Sequence, residues 1–206
     1  GPLATAGAAL WLTPFLGFNG EFTTSLASDI VGNVDGSLRI PADYQWWSGG
    51  IRFRKSFALD RRSSHLIIGV DFNESRLNVP ANAPDRIRVR TSGAAISLGL
   101  QKPTSPNHSW EVGVKLLPRQ DQNEGKTGIA ISSGAKQQTY SIGFWLGSRF
   151  LLDRKNQYFW QLSHYFDKSL YDGQANKVDP STGLQPSGVQ VSNGTSMFRM
   201  GYTWGE

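Results

Sequence analysis

The sequence predicts an all-β fold, an eight-stranded antiparallel up-and-down barrel that crosses a membrane. Two observations support this prediction. Eight stretches of the chain alternate apolar residues with polar or small ones, and the connections between them are alternately short and long. Because side chains of a strand point to opposite faces with period two, each stretch has one apolar and one polar face. A closed sheet with its apolar faces outside has a polar interior.

The eight strands are predicted at 10–24, 44–59, 65–76, 87–101, 110–120, 139–152, 157–171 and 195–204. Each is long enough to cross a bilayer when tilted. In chain order, their apolar faces carry Phe18 and Phe22, Ile51 and Phe53, Ile68 and Val70, Ile96 and Leu98, Val112 and Val114, Phe144 and Leu146, Tyr158 and Leu162, and Phe198 and Met200. Trp145 is an exception, because it lies on the polar face of its strand.

Connections of two lengths join the strands. The long loops are predicted at about 24–44, 74–87, 120–138 and 168–194, and short turns lie near 60–63, 103–108 and 153–156. The alternation places all long loops at one end of the barrel and both termini at the other. Pro14 and Pro118 fall inside predicted strands and lack the amide hydrogen that a ladder needs, so we expect a bulge or a strand end at each.

Composition narrows the protein class. The 206 residues form one predicted domain, 1–206, in which 1–9 is an N-terminal tail beginning with an expected tag scar. No signal peptide is visible, and we expect an export signal to have been removed before this start. No run of about 18 apolar residues is present, which excludes a spanning helix. The lack of cysteine excludes disulfides and thiolate metal sites. Nucleic acid is not an expected partner despite the net charge of +5, because no recognition helix or finger spacing accompanies it.

A soluble eight-stranded barrel or sandwich is the main alternative fold. It would need the apolar faces inside and would then expose the polar faces. Charges occur on those polar faces in several strands, including Glu21, Arg52, Asp71 and Glu111. The opposite orientation encloses these charges and leaves the apolar faces outside. In water that orientation is unfavourable, because it both buries charge and exposes apolar surface. The membrane barrel is therefore the preferred reading.

The pattern resembles the small eight-stranded outer-membrane barrels of Gram-negative bacteria, the OmpA/OmpX-like and opacity-like group. Phe198, Met200, Tyr202 and Trp204 are similar to the C-terminal assembly signal of that group. The resemblance implies a location in the cell outer membrane, contact with outer-membrane lipid and lipopolysaccharide, and recognition by the barrel-assembly machinery. It covers essentially the whole chain but matches no individual protein.

The polar faces supply a candidate lumen charge network: Glu21, Arg52, Arg54, Asp71, Glu111, Lys115, Arg119, Arg149 and Arg199. One interpretation is a hydrogen-bonded plug that fills the narrow interior of an eight-stranded barrel. The other is a gated pore that prefers anions, since cations outnumber acids in this set.

Three arginines share the apolar-side register near the long-loop end: Arg76, Arg88 and Arg90. Guanidinium groups bind phosphate with two parallel hydrogen bonds, so lipopolysaccharide phosphates are candidate ligands. The alternative is a solvated rim neutralised by Glu74 and Asp85.

No catalytic or metal site and no cofactor is predicted. His65 and His108 lie near short turns, and His164 has no serine two positions away on its own strand. A nucleophile–base pair is therefore not assembled within one strand. The expected function is non-enzymatic: a surface, structural or interaction protein that acts through its long loops, with a possible surface ligand or envelope partner protein. The alternatives are a narrow pore, the membrane anchor or export barrel of a larger envelope machine and, less favoured, a lipid A-modifying enzyme.

Overall fold

The computed structural model describes residues 1–31, 39–58, 63–80, 88–125, 136–153, 156–172, 178, 181–185 and 190–204. Within these ranges the chain forms eleven strands. No helix in the described residues is long and apolar enough to cross a membrane.

The strands are β1 (Leu3–Trp11), β2 (Leu16–Ser25), β3 (Asp29–Val31), β4 (Arg39–Pro41), β5 (Asp43–Ser56), β6 (His65–Asn78), β7 (Arg88–Ser105), β8 (His108–Gly125), β9 (Lys136–Leu151), β10 (Asn156–Asp172) and β11 (Gln190–Trp204). Nine of them form one antiparallel up-and-down sheet in the order β1-β2-β5-β6-β7-β8-β9-β10-β11, and β3 and β4 form a separate hairpin. The sheet curls into a half-barrel whose edges are β1 and β11.

The prediction of a single first strand at 10–24 preceded by a tail at 1–9 was wrong. Residues 12–15 form a tight turn in which the Leu12 amide donates to the Leu16 carbonyl at 3.0 Å, and β1 pairs with β2 along its whole length. Pro14 lies in this turn, where its missing donor costs nothing. β1 escaped detection because it consists mainly of Ala, Gly and Thr, whose alternation is weak. The main sheet therefore has nine strands, not eight.

An odd strand number changes where the chain begins relative to the loops. Leu3 pairs with Ser25, next to the first long connection, whereas Trp204 pairs with Asn156, next to a short turn. The termini thus lie at opposite ends of the sheet, contrary to the prediction that both lie at the short-turn end. As a further consequence, the edge strands β1 and β11 run in the same direction.

The first long connection is partly structured, although the sequence predicted only a loop there. The β3–β4 hairpin lies within it, and Ile40, Ala42 and Val79 form a small buried cluster with Leu77 beside them. This cluster covers the long-loop end of β5 and β6. Most of the other three long connections lies outside the described residues.

The seven remaining predicted strands are present, but β7, β8 and β11 are longer than predicted. Backbone pairing continues past the apolar alternation because the ladder does not depend on side-chain polarity. β8 carries a register shift between Leu117 and Gln120, so Pro118 falls in an irregularity of the kind expected. Both Leu117 and Gln120 are buried while Arg119 is exposed, so one extra residue has reversed the alternation.

The two faces of the sheet differ sharply in polarity. The outward face is apolar and exposed: Phe53 retains 46%, Ile68 41% and Phe144 48% of its accessible surface. The inward face buries polar and charged side chains, with Asp71 at 2% and Ser97 at 3%. The predicted assignment of apolar residues outside and polar residues inside is therefore confirmed for these strands.

Contacts across the interior demonstrate the curvature. β5 and β10 are five positions apart in the sheet, which in a flat sheet corresponds to roughly 24 Å. The rings of Trp46 on β5 and Tyr165 on β10 nevertheless meet edge to face, with centroids 5.1 Å apart. The sheet therefore wraps around a common interior.

Glycines on the inward face provide room for aromatic rings from the neighbouring strand. Gly113 lies directly opposite Trp145, and a Cβ added there would lie 2.1 Å from the indole. The same cross-strand arrangement occurs at three more glycine–aromatic pairs: Gly17 with Trp11, Gly143 with Tyr165, and Gly201 with Phe159. These glycines have a steric role that depends on close approach.

We expect Gly113→Val to destabilise the fold by about 1–3 kcal/mol, because valine would force Trp145 from its position. The matched control is Gly49→Val, whose added Cβ would meet nothing closer than 3.6 Å. Denaturant midpoints of the detergent-refolded variants measure both effects. Equal midpoints for the two valine variants would contradict the steric role of Gly113.

Candidate functional site

The candidate site is the interior, where alternation places the polar side chains of the main sheet. Of the nine residues predicted for the lumen charge network, eight lie on the inward face. The exception is Arg119, which the β8 bulge turns outward, so its assignment to the network was wrong. An additional acidic residue, Asp167, lies on the inward face of β10.

Asp71, at the middle of β6, is the centre of the network. Its side chain is fully buried, and its carboxylate lies 3.2 Å from the Arg52 guanidinium and 3.9 Å from the Lys115 ammonium. Lys115 also donates to the Asn73 amide oxygen at 2.6 Å. One buried acid is thus shared by two cations from two different strands.

Arg52 links this centre to both sides. It donates to the side chains of Asn19 on β2 and Ser97 on β7, at 2.8 Å in each case. Gly69, directly opposite Arg52, makes this possible, because a Cβ there would lie 2.3 Å from the guanidinium. The glycine and the arginine therefore form one steric unit.

A second ion pair joins strands close to the two edges of the sheet. Arg199 of β11 donates to Glu21 of β2 at 2.5 Å and also to Gln161 of β10. β2 and β11 are seven positions apart, which in a flat sheet corresponds to roughly 34 Å. The Arg199–Glu21 pair therefore spans the interior of the curled sheet.

A third pair lies towards the short-turn end, where Arg149 donates to Glu111 at 2.8 Å. The Trp145 ring covers Gly113 and approaches Gly99 beside this pair. Arg54, by contrast, donates to the backbone carbonyl of Pro14 at 3.0 Å and stacks over the Trp11 ring at 4.1 Å. The Arg149–Glu111 pair and the Trp145 ring fill the interior, and the Arg54 side chain lies at its short-turn end.

The interior charges are close to balance among the described residues. Cationic groups are Arg52, Arg54, Lys115, Arg149 and Arg199, and acidic groups are Glu21, Asp71, Glu111 and Asp167. The excess of positive charge inferred from the sequence is smaller because Arg119 lies outside and Asp167 lies inside. Paired charges of this kind favour the plug over an anion-selective path.

A small cavity remains at the long-loop end of the interior. Its walls come from β5 to β11 and include the aromatic side chains Tyr44, Trp46 and Tyr165 together with Asp167. Hydroxyl and amide groups complete the lining. Period-two alternation places Tyr165 and Asp167 in the polar register of β10, so an aromatic residue in polar register was the available signal for this cavity.

The outward arginine cluster is built around one acid. Glu74 accepts from Arg76 at 2.5 Å and from Arg90 at 2.6 Å, and its side chain is 2% exposed beneath them. Arg76 and Arg90 are direct cross-strand partners. The Arg88 and Asp85 side chains lie outside the described residues. Phosphate binding by these arginines stays a prediction.

Each histidine bonds to a hydroxyl group of another residue. His65 contacts Ser56 at 3.0 Å, His108 contacts Thr104 and Ser148 at 2.6 Å each, and His164 contacts Ser196 at 2.7 Å. The His164–Ser196 pair forms across β10 and β11, which within-strand spacing could not reveal. Similar histidine–hydroxyl pairs at three unrelated positions indicate a structural role, and the absence of catalysis stays a prediction.

The predicted assembly-signal residues share one face of β11. Phe198, Met200, Tyr202 and Trp204 are all strongly exposed on the outward side.

No group of three or more potential metal ligands occurs in the described part of the chain. No protein-family model, curated protein or solved structure matches the sequence. The resemblance to small outer-membrane barrels therefore stays a prediction.

We expect Asp71→Asn to destabilise the protein by about 3–5 kcal/mol, because it leaves buried cations without their shared counter-charge. Adding Lys115→Met should recover part of this loss by removing one of those cations. The control is Asp29→Asn, whose partner Arg39 is 71% exposed; such a surface pair contributes at most about 1 kcal/mol. A double-mutant cycle in denaturant measures the coupling, and additive single effects would refute the shared-counter-charge assignment.

Proposed function

We propose that this protein is an integral β-barrel of the Gram-negative outer membrane that acts without catalysis, as an anchor presenting its long loops for recognition. One observation carries the proposal: the sheet exposes its apolar face and encloses its charges. In water such an arrangement leaves a large hydrophobic surface exposed. In a bilayer the same face contacts hydrocarbon, and the enclosed ion pairs avoid it.

Aromatic residues on the outward face support a membrane setting. Near the short-turn end, the rings of Trp110 and Trp160 meet edge to face with centroids 5.5 Å apart. Near the long-loop end, Trp47 and Phe72 pack at 5.4 Å. Such belts are typical of the two interfaces of a bilayer.

The spacing of the aromatic residues suits a bilayer. On β9, Tyr140 and Phe150 lie on the outward face and are separated by ten residue steps. That corresponds to about 33 Å along the strand, or about 25 Å across the membrane at a typical tilt near 40°. This value matches the apolar band of outer-membrane barrels.

The proposal requires the two sheet edges to pair, because hydrocarbon offers unpaired backbone groups no water. Since β1 and β11 run in the same direction, their seam would be parallel. The small side chains of β1 would allow β11 to approach it. Gly7 lies opposite Glu21 in the ladder, and Glu21 already contacts Arg199 of β11.

The long loops are the proposed recognition elements, because a rigid scaffold leaves functional variation to its connections. The Glu74–Arg76–Arg90 cluster lies at the same end of the sheet, and Glu74 follows Phe72 by two residues on the outward face of β6. We propose lipopolysaccharide phosphate as its partner, with Glu74 holding the two guanidinium groups in place. The exposed outward face of β11 suits recognition by the barrel-assembly machinery.

Fluorescence quenching by lipids brominated in their acyl chains tests insertion directly. Variants that retain a single tryptophan, with the other six changed to Phe, are reconstituted in vesicles of such lipids. We expect strong quenching of Trp160, which is outward, and weak quenching of Trp145, which is enclosed.

Trp145 serves as the enclosed control, and it lies three positions from the level of Trp160 along the β9–β10 ladder. Heat-modifiable gel mobility first verifies that each variant is folded. Equal quenching of the two residues, or none for either, would exclude the proposed orientation in a membrane.

A narrow pore is the second candidate function, favoured by the cavity at the long-loop end. The paired charges and the Trp145 ring favour a filled interior instead. We expect planar-bilayer recordings of the wild type to show no discrete conductance, and Trp145→Ala to introduce small steps. The control Trp160→Ala removes an outward ring and should introduce none. Discrete, salt-dependent steps in the wild type would establish the pore and reject the plug.

A further inference from the structure

We propose that the cavity at the long-loop end of the interior binds a small methylated ammonium group. Three aromatic side chains and one carboxylate define this site: Tyr44, Trp46, Tyr165 and Asp167. The inference goes beyond the anchoring role, and it does not depend on membrane insertion.

Two of the aromatic walls meet edge to face and form a corner of the cavity. Trp46 belongs to β5 and Tyr165 to β10, and their rings pack at an interplanar angle of 75°. Two rings at a large angle present a π face and a neighbouring ring edge to the same space. Tyr44 lies two residues before Trp46 on the same face of β5 and adds a third ring. Such a box is the arrangement that attracts alkylated ammonium groups, with tryptophan the strongest contributor.

The charge of the cavity favours a cation. Asp167 is the charged side chain in its lining, and the other polar groups there are neutral hydroxyls and amides. The interior ammonium of Lys115 is held by Asn73 and Asp71, and the guanidinium groups of Arg52 and Arg199 are paired with Asp71 and Glu21. The Asp167 carboxylate accepts a hydrogen bond from Ser141, its cross-strand partner. The acid is thereby oriented towards the cavity without an ion-pair partner among the described residues.

The lining also distinguishes an organic cation from a metal ion. Metal ions such as Ca²⁺ and Mg²⁺ require several oxygen ligands, most of them carboxylate or carbonyl groups. The lining has one carboxylate beside neutral hydroxyl and amide groups, and the described residues contain no cluster of three or more acidic or histidine ligands. A methylated ammonium group instead needs contact with ring faces and a single counter-charge nearby.

Calorimetric titration of the folded protein with choline tests the proposal. A maltoside detergent is required, because detergents with choline head groups would compete for the site. The uncharged isostere 3,3-dimethylbutan-1-ol is titrated in parallel, and phosphocholine is included to distinguish a free cation from a lipid head group. We expect saturable choline binding that exceeds binding of the isostere by at least about tenfold, as loss of one charge-assisted contact predicts.

Three variants locate the site. Asp167→Asn preserves shape and removes the charge, so choline affinity should fall about tenfold. Trp46→Leu should weaken binding through loss of the ring face. The control is Glu111→Gln, an interior acid at the opposite end, which should leave affinity unchanged.

Several results would overturn the assignment: no binding by the wild type, equal binding of choline and its isostere, or unchanged affinity in Asp167→Asn. Binding of phosphocholine alone would reject a free cation and identify a head-group site. Because the titration is performed in detergent, its failure would leave the quenching result in vesicles unaffected, and the two proposals can fail separately.

Discussion

Alternation of side chains across one continuous curled sheet is the constraint on which this protein depends. Every inward position must hold a group that fits a narrow space, and every outward position must suit the surroundings. The chain meets the first requirement by enclosing ion pairs and the second by exposing an apolar surface. A buried carboxylate such as Asp71 on β6 is tolerable only because Arg52 reaches it from β5 and Lys115 reaches it from β8. Curvature is therefore a condition of charge pairing as well as a consequence of strand order.

Glycine and the large interior side chains form a complementary set. Opposite four of the aromatic rings and opposite Arg52, a neighbouring strand carries a glycine. Gly113 under Trp145 and Gly69 beside Arg52 illustrate the two cases. This arrangement divides the interior along its axis: the Trp145 ring and the Arg149–Glu111 pair fill the short-turn half. At the other end, the rings of Trp46 and Tyr165 leave a cavity unfilled. The two halves thus suit closure and recognition respectively.

Irregularities in the ladder have consequences beyond local geometry. The extra residue near Pro118 turns Arg119 outward and brings Leu117 and Gln120 into the interior. The additional strand β1 makes the strand count odd, which separates the termini and makes the edge strands parallel. Each effect arises from one local feature, a proline in one case and a tight turn in the other. Both features change which residues are in contact. The bulge changes the net charge of the interior, and the additional strand changes how the two edges of the sheet would pair.

The sequence alone determined the all-β, antiparallel up-and-down class, the presence of seven of the nine sheet strands, and the inward register of most of the listed charges. These features depend on period-two alternation, which is a local property of the chain. The sequence did not reveal β1, because the alternation of Ala, Gly and Thr is too weak. It also did not reveal the outward position of Arg119, because counting alternate residues along a strand does not detect a bulge. Only the tertiary structure decided which cation meets which acid, the pairing of His164 with Ser196, and the box formed by Trp46, Tyr165 and Asp167. Those juxtapositions join strands far apart in the chain, and the curvature that creates them is a property of the whole sheet.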